Sequence, residues 1–173
     1  MSEISLIEKS EREPKIEIIE YSKEYQGAVQ ALVDDIQKNE FGRQSKSGRP
    51  DLQRIEKVYQ TERGNFWIAN ENGELVGTLA LKDMGLDRGE LWRFYVKKDM
   101  RSKGVGGKLF STLMDFARDR GYRELFLATH QNQEAANKFY LKHGFKRIEA
   151  MPDDFPATAN EEIFYKIDLE EKK

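Results

Sequence analysis

A chain of 173 residues with 29 Lys and Arg against 31 Asp and Glu is long enough for one domain with a sizeable core and too short for two comfortable ones. The formal net charge of -2 gives no broad basic field for a nucleic-acid backbone, so no nucleic-acid partner is expected and any basic site must be local. The chain has no cysteine, which excludes a disulfide, a thiolate zinc site and a cysteine acyl-enzyme. Two histidines, His130 and His143, are a poor basis for a metal site, and none is expected.

The opening MSEISLIEKSEREPK is charged and lacks the apolar core of a leader, and no later apolar run approaches the roughly 18 residues of a membrane span. A cytoplasmic protein without a membrane partner is expected. Residues 1–13 read as a flexible tail, residues 14–170 as the single domain, and the closing EEKK as solvated chain.

KIEIIEY (Lys15 to Tyr21) is a short β-type run. From about Lys23 to Lys38, Ala28, Leu32 and Ile36 recur four apart, as on a helix. EFGRQSKSGRP breaks that pattern and reads as an exposed loop. A second helix is expected over about Asp51 to Glu62, carrying Leu52, Ile55 and Val58, with its cap near Ser47 or Asp51.

The middle of the chain is β in character. NFWIANENGELVGTLAL has two apolar runs around Asn72-Gly73, a dipeptide that takes the positive φ angles of a tight hairpin turn. DRGELWRFYV follows as another strand. Leu109, Leu113, Phe116 and Ala117 then form one helical stripe that ends at Gly121, a good residue just past a helix C-terminus. ELFLATH is the next strand, Ala136, Phe139, Tyr140 and Gly144 outline a helix and its stop, and EEIFYKIDL closes with Ile163, Tyr165, Ile167 and Leu169 on one strand face. The order β-α-α-β-β-β-α-β-α-β, with a further strand near FKRIEAM, predicts an α/β fold, an α+β mixed sheet rather than a bundle or a sandwich.

The stretch MRSKGVGGKLF is the most informative. A phosphate loop of the G-x-x-x-x-G-K-[ST] type fails, because Leu109 follows Gly107-Lys108 and position 102 is Ser. A dinucleotide fingerprint fails as well, since Gly104-Val105-Gly106 is not completed by a glycine at position 109. The remaining reading is R-x-x-G-x-G at Arg101, Gly104 and Gly106, between a strand and a helix. Glycines let the backbone approach a bulky phosphate, and the unpaired amides of the first helical turn point at it. A pyrophosphate would fit, and Lys97, Lys98, Lys103 and Lys108 would add charge.

ELWRFYVKKDMRSKGVGGKLFSTLMDFA followed by ELFLATHQNQEAANKFYLKHGF resembles the paired motifs of the GNAT superfamily of N-acetyltransferases. The second motif is A-x-x-x-Y-x-x-x-G-F at Ala136, Tyr140, Gly144 and Phe145. The likeness is close over about Asn65 to Phe145. It implies an acetyl-CoA-binding GNAT-like fold, its central mixed sheet splayed between the fourth and fifth strands with helices on both faces. The activity implied is transfer of an acetyl group from acetyl-CoA, as co-substrate, to a small-molecule or peptide amine in a ternary complex.

By that resemblance the pantetheine pairs with backbone near Tyr95 and Val96. The pyrophosphate rests on Arg101, Ser102, Lys103, Gly104, Val105, Gly106, Gly107 and Lys108. Where the family commonly has Asn seven residues before its tyrosine this chain has Gln133, with Asn132 one place earlier, and both are candidates for the amide contact. A bulge in the LWRFYV strand would free an N–H for the thioester oxygen. Tyr140 matches the tyrosine that protonates the leaving thiolate, and Glu90 the glutamate that some members use as base, with His130 as its substitute.

The acceptor would be chosen by EFGRQSKSGRPDLQ and by MPDDFPATANEE. The carboxylates of Asp153, Asp154, Glu161 and Glu162 near Phe155 would suit a cationic amine. Pocket width near Trp92 and Phe94 would decide between acetyl and longer acyl groups. A non-catalytic acyl-CoA-binding regulatory module is the alternative function, and pairing of an edge-lying final strand with a second copy would make a homodimer.

Overall fold

Alternation of apolar side chains along the central strands sets the layering of the computed structural model, which describes residues 15–44, 48–156 and 163–170. The elements are β1 (Ile16–Glu20), α1 (Gln26–Phe41), α2 (Ile55–Val58), β2 (Asn65–Glu71), β3 (Glu74–Asp83) and β4 (Arg88–Val96). After them come α3 (Val105–Asp119), β5 (Glu124–Thr129), α4 (Glu134–Lys142), β6 (Lys146–Ile148) and β7 (Ile163–Asp168). Along β2, Phe66 and Ile68 join Val29, Leu32, Val33 and Ile36 of α1 in one core. Trp67 and Ala69, pointing to the opposite face, join Leu109, Leu113 and Ala117 of α3 in the other.

The strand order is β1-β2-β3-β4-β5-β7-β6 in one seven-stranded sheet. Neighbours are antiparallel except β4 and β5, which run parallel. This is the expected mixed sheet with helices on both faces. The β2–β3 hairpin turns at Asn72 and Gly73 with φ of 50° and 88°, as the Asn-Gly pair requires. The extra strand near FKRIEAM is β6.

Three expectations are corrected. The second helix is a single turn, Ile55–Val58, because residues 50–54 form turns instead, and Leu52, Ile55 and Tyr59 are buried from that irregular stretch. Its N-cap position is Arg54, not Asp51, whose carboxylate is engaged elsewhere; Ser47 lies outside the described residues. The final strand is not an edge. β7 lies between β5 and β6, hydrogen-bonded on both sides, so pairing with a second copy through it is excluded.

Two irregularities shape the centre of the sheet. β4 and β5 pair only at Arg88 with Glu124, Gly89 with Leu125 and Glu90 with Phe126, and part beyond that point. On its other side β4 carries a bulge: Thr78 faces Tyr95 while Ala80 faces Trp92, so β4 holds one residue more than β3 across this interval. Arg93 within it has φ of 53°. The Thr78 hydroxyl donates to the Arg93 carbonyl at 2.7 Å and fixes the irregular backbone.

The N-terminus of α3 is set close onto β3 at Gly77. A Cβ there would stand 3.0 Å from a Leu109 methyl, 3.1 Å from the Tyr95 carbonyl oxygen and 3.2 Å from a Val105 methyl. Gly77→Ala is therefore expected to lower stability by about 1–3 kcal/mol through overpacking. Denaturant unfolding that shows no loss would mean that α3 can slide on the sheet.

Candidate active site

Where β4 and β5 diverge, a cleft of ≈ 410 Å³ opens between them. Glu90, the last residue of β4 paired to β5, lines it and is buried, only 3 % exposed. Tyr140 of α4 lines the same cleft, buried among Phe94, Phe139, Phe145 and Tyr165 at ring distances of 5.7 to 6.2 Å. Both catalytic candidates thus face one space, although they come from distant parts of the chain. His130, at the end of β5, lines it too.

The alternation of β4 gives the cleft two unlike walls. Leu91, Phe94 and Val96 belong with the core beneath α3, and Trp92 and Tyr95 with the core beneath α1. On the α3 side the lining is apolar and aromatic: Leu91, Phe94, Leu127 and Tyr140. On the α1 side it is polar: Gln37, Arg43, Arg49, Lys82 and Arg93. The Gln37 amide donates to the Tyr95 hydroxyl at 2.6 Å and ties the end of α1 to the strand.

The glycine-rich segment forms the start of α3. Lys98–Lys103 make a 3-10 turn, Gly104 adopts φ of 79°, and α3 begins at Val105. The first intrahelical bond runs from the Lys108 amide to the Gly104 carbonyl, so the amides of Val105, Gly106 and Gly107 precede it. No Cβ fills the surface at Gly107, where an added one would meet nothing within 4 Å. Arg101 is a strut. Its Nε donates to the Val96 carbonyl at 2.9 Å and its Nη2 to the Glu40 carboxylate at 2.7 and 2.6 Å, so the side chain is engaged away from the loop's backbone amides. Ser102 and Lys103 are exposed beside it, and Lys97 is ion-paired with Glu74.

Of the two amide candidates, Gln133 borders the cleft and accepts at Oε1 from the Thr129 hydroxyl at 2.8 Å. Asn132 is exposed in the turn before α4. The acidic loop differs from expectation. Asp154 is bound by Arg88, whose hydrogen bonds and charge hold its carboxyl below the usual range, and Phe155 is buried edge-on to Phe126 at 5.2 Å. Glu161 and Glu162 lie outside the described residues.

Sequence reasoning missed the group that secures the bulge. The Arg93 guanidinium donates from Nε and Nη2 to the two oxygens of Asp51 at 2.8 and 2.7 Å, and the Tyr59 hydroxyl donates to Asp51 at 2.6 Å. Burial acts to raise Asp51, but the Arg93 hydrogen bonds and charge outweigh it and hold the carboxyl below its ordinary value. Burial also opposes the charge on Arg93, and the Asp51 hydrogen bonds more than offset it, pushing the guanidinium up. Tyr59 is pushed up by burial and by the Asp51 charge. The one signal in the sequence was an arginine inside the apolar run LWRFYV.

The acetyltransferase (GNAT) family model matches residues 29–145. Rattus norvegicus N-acetyltransferase 8 is 36% identical over 109 residues, 60% of this chain and 49% of that protein. The chain spans about half the length of the vertebrate relatives it matches. A GNAT-family acetyltransferase structure from Staphylococcus aureus Mu50 superposes with a TM-score of 0.86 at 30% identity, covering 90% of this chain and 100% of that one. The fold is also that of PaiA N-acetyltransferase from Thermoplasma acidophilum, solved in complex with coenzyme A, with a TM-score of 0.72 at 20% identity over 90% of this chain and 99% of that one. The chain belongs to the GNAT acetyltransferase family.

Asp51→Asn is expected to cost on the order of 3 kcal/mol, since it leaves the half-buried Arg93 uncompensated. Because Asp51 is lowered in the folded state, its contribution is complete above the ordinary carboxylate value of about 4 and drains away as pH falls through the lower folded value. Thermal unfolding of wild type and variant should therefore differ at pH 7 and converge in strong acid. A gap that persists undiminished at pH 2 would contradict the pairing.

Proposed function

We propose that this protein is an N-acetyltransferase that moves an acetyl group from acetyl-CoA directly to an amine acceptor. The observation that carries the reading is the parting of β4 and β5 at Glu90, with Tyr140 on one wall and the open start of α3 beside it. The donor fits this surface. Beyond Glu90 the β5-facing edge of β4 has no partner strand among the described residues, and the turn entering α3 offers glycine-lined amides to an anion.

Acetyl-CoA, when bound, supplies the acetyl group as a thioester. The backbone of Tyr95 and Val96 and the Gln133 side chain hold the pantetheine, with Asn132 near its path. The amides of Arg101 to Lys108 take the pyrophosphate, aided by the positive end of α3. The bulge at Arg93 turns backbone dipoles toward the place where negative charge grows on the carbonyl oxygen. Tyr140 holds at Oη the proton that a departing thiolate requires. Glu90 accepts the proton that an attacking ammonium must lose, and its place across the ladder from Lys82 puts it on the same side as the polar wall. The lack of any cysteine to carry the acetyl group supports direct transfer.

Two variants test the halves of this reading. Gly107→Glu places a carboxylate in open space in the first turn of α3, where it favours the helix dipole yet repels a phosphate. It should keep the fold, by circular dichroism, and lose acetyl-CoA binding by calorimetry; unchanged binding would overturn the cradle. Tyr140→Phe should retain acetyl-CoA affinity while kcat for thiol release with an amine falls by about a hundredfold or more. An unaltered kcat would remove the acid role, and folded wild-type protein that binds acetyl-CoA but releases no thiol with any amine would indicate a binding module.

A further inference from the structure

The polar wall of the cleft indicates which amines it accepts. The described residues that line it on the α1 side include Arg43, Arg49, Lys82 and Arg93, against the single carboxylate Glu90. Not all of that charge is available. Arg93 is satisfied by both oxygens of Asp51, and Arg49 is shared with Asp34, an exposed residue of α1. Lys82 leans over the Trp92 ring at 5.6 Å, directly across the β3–β4 ladder from Glu90. Arg43 forms no ion pair among the described residues; its guanidinium lies 5.8 Å from the Phe41 ring centre and reaches the cleft.

The position of Arg43 is built by the backbone. Gly42 ends α1 with φ of 63°, its amide donating to the Lys38 carbonyl, and the Arg43 amide donates to the Gln37 carbonyl at 2.8 Å. This closure of the helix C-terminus aims the following residue in a fixed direction. Gln37, a turn earlier, is buried and bonded to Tyr95 on β4. One short segment therefore joins a half-buried arginine to the strand beside the reacting groups.

Resting on the proposed acetyl transfer, we infer that the acceptor is a small amine that carries a carboxylate, an amino acid or a close analogue. Its anionic group is held by Arg43 with help from Arg49, while its amine faces Glu90. A guanidinium fork matches a carboxylate in shape as well as charge. A polycation would meet the same wall with like charge. This replaces the expectation of a cationic amine chosen by an acidic rim, since Asp154 of that rim is already bound to Arg88.

The test compares α-amino acids with their own amides, and with spermidine, as acceptors of acetyl from acetyl-CoA, following thiol release with wild-type protein. The expected result is a kcat/KM for the free carboxylate at least tenfold above that of the matched amide, with spermidine poorer still. Arg43→Gln should then raise KM for the carboxylate acceptor by about tenfold to a hundredfold, leave KM for acetyl-CoA unchanged and abolish the preference over the amide. Equal rates for acid and amide, or a better rate with spermidine, would overturn the acceptor class while leaving acetyl transfer intact. Absence of thiol release with every acceptor would overturn both.

Discussion

Parallel strands β4 and β5 separate just after Glu90 while β4 has taken an extra residue into its length, with Arg93 in a left-handed conformation that bulky side chains rarely adopt. A bulge bends its strand and sharpens the local twist, so the two strands can share a sheet at one end and enclose a cleft at the other. The strain is countered from both directions. Thr78 holds the Arg93 carbonyl, and the Arg93 side chain crosses to Asp51, which Tyr59 also secures. The cleft is thus fastened to the short α2 region, although that region carries none of the proposed proton-transfer groups.

The two walls of the cleft follow from the simplest property of a strand. Successive side chains of β4 alternate between the cores under α3 and α1, so an apolar surface and a cationic surface face each other across one gap. The α3 side suits a thioester arm, and the start of that helix offers amides to phosphate. The α1 side suits a polar acceptor. The bulge at Arg93 shifts the alternation by one place, so that Leu91 and Phe94 share one side while Trp92 and Tyr95 share the other.

Much of the fold was legible in the sequence because its signals are local. Asn72-Gly73 dictates a hairpin, Gly121 a helix stop, and the stripe from Leu109 to Ala117 a buried helix face. The glycine-rich entry to α3 was legible through its spacing, whereas Tyr140, which lines the cleft, was singled out only through the family resemblance. What escaped were contacts between distant segments. Asp51 reads locally as a helix cap, yet its role is set by an arginine on a strand that meets it only in the folded chain. The second helix looked longer than it is because the burial of Leu52, Ile55 and Tyr59 imitates helical periodicity in a stretch made largely of turns. Whether a strand lies at an edge is not encoded in its own residues, and β7 was misplaced for that reason.

The location of β7 also bears on how the chain acquires its form during synthesis. Segment 163–168 is the last of the described strands to be made, but it fills the slot between β5 and β6. Until it leaves the ribosome, β5 keeps one edge bare along Glu124–Thr129, and β6 has nothing to pair with. The first four strands can form a meander with α1 while translation continues, since each is antiparallel to its predecessor. The second arm of the cleft cannot close until the final strand is released, and a nascent chain at that stage presents a β edge open to mispairing.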